Sequence, residues 1–420
     1  RGERLLLCAP SNLAVDGLVL RLVAADASLR LVRVGNPERL DATALELTPA
    51  ALAKAAEANL RAEVDRLTAL LASERKRGGN SKKIQRAQQR LRQAQLMLKK
   101  TIARGEAGAI AGAQIVLCTA TASSEPAIVS LPPFDLSILD EAGQATAPNA
   151  WLPLLRARRA VLVGDPMQLP PTLLSPEAAR RGLATSLMES FMATAPDACQ
   201  LLETQYRMHE VICAWASQAM YKGSLRAAPG VSQHTLADLP TAESNELTRA
   251  PILLLDTPAP SGRAGNEMRR VDGAVTNAAE AEAAVDHVRA LAAAGVPVAC
   301  IAVLSPYAAQ VELIRVALSA ANLEAVETAT VDGYQGRESD AIVLSLVRSN
   351  PRGSVGFLGD ERRLNVAITR ARRHLAIVCD ASTLKRKPFL RQLLEYIAVR
   401  GLWKKKMPFS SRPSENPTTP

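Results

Sequence analysis

The sequence predicts two α/β units of similar size, each built on a parallel sheet, and three observations predict them. Ten short β-rich runs recur along the 420 residues, separated by helical stretches. The runs are nearly all apolar rather than alternating, as in parallel strands covered on both faces. The chain is also long enough for two or three domains with cores of ordinary size.

In order, the first half gives strands at "RLLLCAP", "LRLVRVG", "AQIVLCTA", "DLSILDEA" and "RAVLVGD". The second half gives "PILLLDT", "VACIAVLSP", "TATVDGYQG", "DAIVLSLV" and "HLAIVCD", with a helical pattern from Thr276 to Ala294 between the first two. Strands alternating with helices make parallel sheets by crossover connections. Between the second and third strands an insertion of roughly 41–112, rich in Ala, Leu, Lys, Arg and Gln, reads as two long helices broken by "RGGNSKK". The expected division is a first unit over 1–204, a second over 205–400, and a disordered basic, Pro-rich tail over 401–420.

Composition narrows the class. Hydrophobic residues make up 48% and charged residues 22%, as in globular proteins. No apolar run reaches the roughly 18 residues that span a bilayer, so no membrane segment is expected. Six scattered cysteines lack a C-x-x-C pair. Cys8, Cys118, Cys300 and Cys379 lie in apolar strand-like runs, which predicts buried reduced thiols and a cytoplasmic or nuclear setting. The four histidines have no partner at metal-ligand spacing, so no structural zinc is expected. Net charge is +10, and residues 61–104 alone hold 13 Lys or Arg against three acids. A solvated helical face is one reading of that stretch. Its nearly single sign favours contact with a polyanion such as nucleic acid, through residues such as Lys82, Lys83, Arg86 and Arg90.

The unusual polar clusters fall at strand ends, where parallel sheets gather ligands. "DLSILDEAGQAT" runs an apolar strand into Asp140 and Glu141. Asp140 is placed to hold Mg²⁺, and Glu141 to orient or deprotonate a water. One strand later, "LVGDPMQLPPT" offers Gly164 for a tight turn, stiffening prolines, and Gln168 as a neutral group that could sense a phosphate or that water. Asp-Glu alone is a weak signal. Followed about two dozen residues on by "GDPMQLPP", it is strong.

The ordered set "APSNLAVD", "LCTATASS", "DEAGQ", "GDPMQLPP", "QYRMHE", "VDGYQGRESD" and "NVAITRARRH" resembles the superfamily 1 helicases. It resembles the branch that includes the nonsense-mediated-decay RNA helicase, and within it looks most like the immunoglobulin mu-binding protein helicases. The resemblance runs from Arg4 to about Ala398. It implies an ATP-driven translocase, moving 5′ to 3′ on DNA or RNA, with two RecA-like lobes, ATP and Mg²⁺ in the cleft between them, and a monomeric state. By the same resemblance Asp140 and Glu141 are the magnesium and water-activating pair, and Gln168 couples nucleotide state to lobe closure. Tyr206 would stack on adenine and Arg207 would reach the phosphates. Gly336 and Glu338 would face ribose and phosphates, and Arg370 would be the arginine finger. Ser11, Asn12 and Thr119 would contact the nucleic-acid backbone. Each has a plainer reading: Tyr206 as a core aromatic, Arg207 and Arg370 as ion-pair partners, Ser11 and Asn12 as helix caps. His209 reads as structural, and Arg372 and Arg373 as surface or packing residues.

One departure stands against these matches. The family's phosphate loop, ending G-K-[ST], occurs nowhere in these residues. The resemblance places it shortly before "LLLCAPSN". The expectation is therefore a fragment lacking that loop and its strand, with an incomplete first lobe, poorly stable and nearly inactive by itself. An upstream oligonucleotide-binding barrel and the downstream nucleic-acid-binding domain and zinc finger of some relatives are missing as well. The competing expectation is a paralogue without ATPase activity that clamps nucleic acid or scaffolds a complex.

Overall fold

A computed structural model describes residues 2–76, 81–259 and 266–405. Arg77–Asn80, where the break between the two long helices was expected, lie outside the described residues. The chain divides into two compact units, one of residues 1–166 and 170–199 and the other of 167–169 and 200–420.

The first unit holds five parallel strands: β1 (Leu5–Ala9), β2 (Leu31–Val34), β3 (Ile115–Thr119), β4 (Leu136–Leu139) and β5 (Ala160–Leu162), in the order β2-β3-β1-β4-β5. The inner strands are apolar on both faces because both faces are covered. Leu6, Cys8, Val116 and Cys118 pack in one buried cluster, while Leu7, Ala9 and Leu117 pack in another with Val15 and Val19 of α1 (Asn12–Ala25). The edge strand β5 is different, with Val161 45% exposed beyond its single neighbour.

The insertion forms α2 (Pro49–Lys76) and α3 (Ser81–Gly112), packed along each other. Leu67 and Ala87 are buried in them, but Leu96, Met97 and Ile102 stay about half exposed. Gly105, at φ +47°, breaks α3 near its end. A Cβ is disfavoured in that region of backbone space, so glycine marks the kink.

The second unit has α4 (Glu210–Met220) and six parallel strands: β6 (Ile252–Asp256), β9 (Ile301–Ser305), β10 (Glu327–Thr330), β11 (Ser339–Ser345), β12 (Ala371–Cys379) and β13 (Leu402–Lys405). Their order is β10-β9-β11-β12-β6-β13. Helices α5 (Ala278–Ala293), α6 (Ala308–Ala320), α7 (Glu361–Ile368) and α8 (Pro388–Arg400) accompany them. An antiparallel hairpin of β7 (Glu267–Arg269) and β8 (Val275–Asn277), absent from the sequence reading, precedes α5.

Two expectations change. The tail does not begin at 401, because Leu402–Lys405 pairs in parallel with β6, and its Trp403 packs against the core of the unit. The remainder of that tail, 406–420, lies outside the described residues. Cys8, Cys118, Cys213 and Cys379 are buried, but Cys300 is only half-buried and Cys199 is exposed.

Candidate functional site

In the first unit the candidate residues gather at the carboxyl ends of β1, β3 and β4. Asp140 is still tied to the sheet, its N–H donating to Cys8 O at 2.8 Å. The chain then turns sharply: Glu141 sits in the left-handed region at φ 52°, ψ 38°. A side chain there costs on the order of 1–2 kcal/mol, and strain of this kind persists where the surroundings over-determine it. The turn is fixed on three sides. Asp140 Oδ1 accepts from Glu141 N at 3.0 Å, Ala142 N donates to Val163 O at 2.8 Å, and Gln144 Nε2 donates to Glu141 Oε2 at 2.7 Å. The other Asp140 oxygen has no protein partner among the described residues. A half-buried carboxylate with one oxygen committed fits Mg²⁺, which keeps several waters and takes one or two carboxylates.

Gly164, expected to permit a tight turn, is needed for close approach. Its φ is not positive. Instead, a Cβ there would stand 2.9 Å from Ala142 N and 3.0 Å from Gly143 N, and one on Gly143 would stand 2.9 Å from Asp165 O. Two glycines let the turns after β4 and β5 pack backbone against backbone.

Ser11 caps α1, its Oγ accepting from Ala14 N at 3.2 Å, and Thr119 Oγ1 accepts from Ala122 N at 3.2 Å. Asn12 is held from below. Its Oδ1 accepts from Nη2 of Arg33 at 2.9 Å, and Arg33 is wholly buried on β2. Arg33 Nε donates to Asp16 Oδ1 at 2.8 Å, and Asp16 Oδ2 accepts from Asp41 N at 3.1 Å. This pairing lets an arginine stand inside a strand of the core. The sequence reading missed both residues. The signals were a charge inside the apolar run "LVRVG" and an acid at the end of "APSNLAVD". Lys82, Lys83, Arg86 and Arg90 are all exposed on α3.

In the second unit, the turn of "QYRMH" is built by Gln205, whose Oε1 accepts from the N–H of both Arg207 and Met208 at 2.7 Å. The turn leaves the Tyr206 ring 75% exposed, a free aromatic face rather than a core residue. Arg207 ion-pairs with Glu338 and donates from Nη1 to Thr369 O at 3.0 Å. Arg372 lies 3.7 Å from Glu338, and Arg373 pairs with Asp340 at 2.8 Å. Gly336, at φ +78°, has open space where a Cβ would sit, so backbone conformation is what requires glycine there. Residues 167–169 also belong to this unit, with Leu169 packed in the cluster of Met208 and Ile212. Arg370, 3% exposed at the end of α7, donates from Nε to Val366 O at 3.0 Å and from Nη2 to Gln168 Oε1 at 3.5 Å. Asn365 Nδ2 donates to Met167 O at 2.9 Å and to Tyr221 Oη at 3.0 Å.

Three of the histidines are held in packed positions. His209 caps α4, Nδ1 accepting from Val211 N at 3.0 Å, and burial pushes its pKa down. The Nε2 atoms of His287 and His374 meet at 3.0 Å, and burial lowers the His374 pKa to about 4. Among the described residues no group of three or more His, Cys, Asp or Glu could hold a metal.

Two parallel α/β units, with adjacent carboxylates at a strand end in one and an arginine beside a glutamine in the other, define RecA-like architecture. Two AAA domain family models match, over residues 1–176 and 183–382. The DNA-binding protein SMUBP-2 of Mesocricetus auratus is 40% identical over 417 residues, covering 96% of this chain and 40% of that protein. The DNA polymerase alpha-associated DNA helicase A of Schizosaccharomyces pombe is 34% identical over 409 residues, covering 96% of this chain and 60% of that one. Among solved structures, a complex of arterivirus nonstructural protein 10 (helicase) with DNA is 12% identical, with a TM-score of 0.41, covering 94% of this chain and 57% of that chain. The chain belongs to the superfamily 1 helicases. It spans between two fifths and three fifths of the length of these curated relatives.

Proposed function

We propose that this protein is the motor core of an ATP-dependent helicase that moves along single-stranded DNA or RNA, 5′ to 3′ as in the branch it resembles. The observation that carries the proposal is the Asp140–Glu141 pair, held on a strained turn at a strand end. Such strain marks residues placed for chemistry. Magnesium, when bound, supplies charge neutralisation on the phosphates. Asp140 holds it, and Glu141 takes the proton of the attacking water. Arg207 and Arg370 lie against backbone carbonyls here, and Arg207 also against Glu338. On the proposed reading they reach the phosphates, where guanidinium groups stabilise the charge of phosphoryl transfer. Tyr206 presents its ring to the adenine, with Gly336 and Glu338 beside the ribose and phosphates. Gln168, moored to Arg370, reports the state of the nucleotide to the second unit. Ser11, Asn12 and Thr119 hold the strand backbone, and the basic face of α3 adds a second contact.

Exchange of Glu141 for Gln tests the assignment. It leaves Asp140 for magnesium and removes the base, so ATP binding is kept while hydrolysis falls by about 10²-fold or more. Unchanged turnover would remove Glu141 from that role. Strand binding with no turnover in the unmodified protein would favour the clamp over the motor.

A further inference from the structure

Two cysteine side chains meet in the core of the first unit, and none of the roles above uses them. β1 and β3 are parallel neighbours in register, with Cys8 beside Cys118. Side chains alternate along a strand, so partners in register point to the same face. Both thiols accordingly join the same buried cluster. Their sulfurs lie 3.5 Å apart, and neither residue has any solvent exposure. Cys213, Cys300 and Cys379 belong to the second unit, and Cys199 is exposed.

The pair stands close enough to bond. Neighbouring strands run about 4.8 Å apart, within the roughly 4.4–6.8 Å between Cα atoms that a disulfide spans. Side chains on parallel neighbours are about as far apart as the strands, wider than the roughly 3.8 Å between Cβ atoms that suits the bond best. Closing it therefore draws the two strands together, and a bond made against such resistance is one that a thiol readily reduces. The same strand ends carry the candidate site. Cys8 O accepts from Asp140 N at 2.8 Å, and Ala9 O accepts from Ala120 N at 2.9 Å. Thr119 follows Cys118 directly, and Ser11 lies just beyond Cys8.

We propose that Cys8 and Cys118 form a reversible disulfide, made by a peroxide and undone by a dithiol, that switches off the motor by shifting the strand ends beneath Asp140 and Thr119. The switch rests on the ATPase reading above, whereas the bond itself does not. One thiol loses its proton, and the thiolate attacks a peroxide oxygen. The O–O bond breaks, the hydroxide released takes up that proton as water, and the sulfur becomes a sulfenic acid. The second sulfur then attacks the sulfenic sulfur. The S–O bond breaks, the S–S bond forms, and a second water leaves with the second thiol proton. Two thiols are thereby oxidised by two electrons, and one hydrogen peroxide is reduced to two waters. Burial pushes the Cys8 thiol well up, so the pair reacts slowly and favours a small neutral oxidant that can enter the core.

The experiment treats the protein with hydrogen peroxide, blocks the remaining thiols with iodoacetamide in denaturant, and identifies linked peptides by mass. Strand-stimulated ATP turnover is measured on the same samples. Every sample carries Cys199→Ser, so that the exposed thiol makes no bond between molecules. The expected result is a peptide pair joined through Cys8 and Cys118 and lighter by two hydrogens. Turnover should fall about tenfold or more with it, as misplacement of a reacting group does, and dithiothreitol should restore both. Cys118→Ala should keep its turnover in peroxide. Cys118→Val, which fills the space of the sulfur, serves the same purpose where the smaller side chain unfolds the sheet. Cys8 and Cys118 both blocked by iodoacetamide after peroxide has oxidised Cys300 would overturn the proposal and leave the pair as core packing. A linked protein with full turnover, or an equal loss in Cys118→Ala, would overturn the switch. Absence of turnover in the reduced protein would overturn the proposed function and the switch with it, while the linked peptides would still establish the bond.

Discussion

Arg33 shows what a single residue contributes at the rim of the first unit. Among the described residues it is the largest wholly buried side chain, and its charge is matched by Asp16, itself 5% exposed. Breaking such a pair from one side strands a buried charge, which costs about 3–5 kcal/mol, whereas apolar replacement of both partners is often neutral. Arg33→Met should therefore lower stability by that amount, and Arg33→Met with Asp16→Leu should recover most of it in denaturant titrations. Additive losses would show that the two side chains do not act as a pair. Asn12 would lose its anchor in either variant, so strand binding should stay weak in the double variant even where stability returns. At this scale the sequence spoke unevenly. Asp140, Glu141 and Gln168 were legible because chemistry restricts their residue types and spacing. Arg33 and Asp16 were not, because a buried ion pair joins two distant apolar segments and leaves no local pattern. Gly164 was singled out for a tight turn, and the close approach of the turn after β4 is what leaves no room for a Cβ there.

At the scale of elements, α2 and α3 form a hairpin with few buried side chains, so its faces are free to carry charge. Replacing Lys82, Lys83, Arg86 and Arg90 by Gln should weaken nucleic-acid binding and reduce the slope of log affinity against log salt, by up to about three if all four meet phosphates. An unaltered slope would make the hairpin a solvated face. In the second unit, Glu280 joins the start of α5 to the end of β11. Burial pushes its pKa up to about 8, against the donors from Val347 and Ser345. Glu280→Ala would leave the Val347 N–H and the Asn277 amide short of an acceptor, and should cost about 2–4 kcal/mol in thermal unfolding. An unchanged midpoint would show that Val347 needs no such support. His374 gives α5 and β12 a pH dependence of known sign. Its imidazole is held neutral, with a folded pKa of about 4 below the unfolded 6.5. That contribution is complete above about pH 6.5 and is lost as pH falls toward 4, by roughly 1 kcal/mol per pH unit. His374→Leu should flatten the loss between pH 6.5 and 4, and an equally steep variant would place its origin elsewhere. The strands were readable because burial on both faces writes them as apolar runs. The β7–β8 hairpin was not, being only three residues a strand and largely polar, and the β13 strand "LWKK" was masked by its lysines.

For the whole molecule, two parallel sheets carry the candidate residues at their strand ends and loops, and the pattern of strands alternating with helices foretold both sheets. On the proposed reading, this frame turns ATP hydrolysis into movement on a single strand. The most direct measurement is ATP turnover by the protein with and without single-stranded DNA or RNA, alongside Glu141→Gln. Turnover strongly stimulated by a strand, and lost in the variant, is the predicted result. A strand that binds without raising turnover, or stimulation that survives Glu141→Gln, would contradict it.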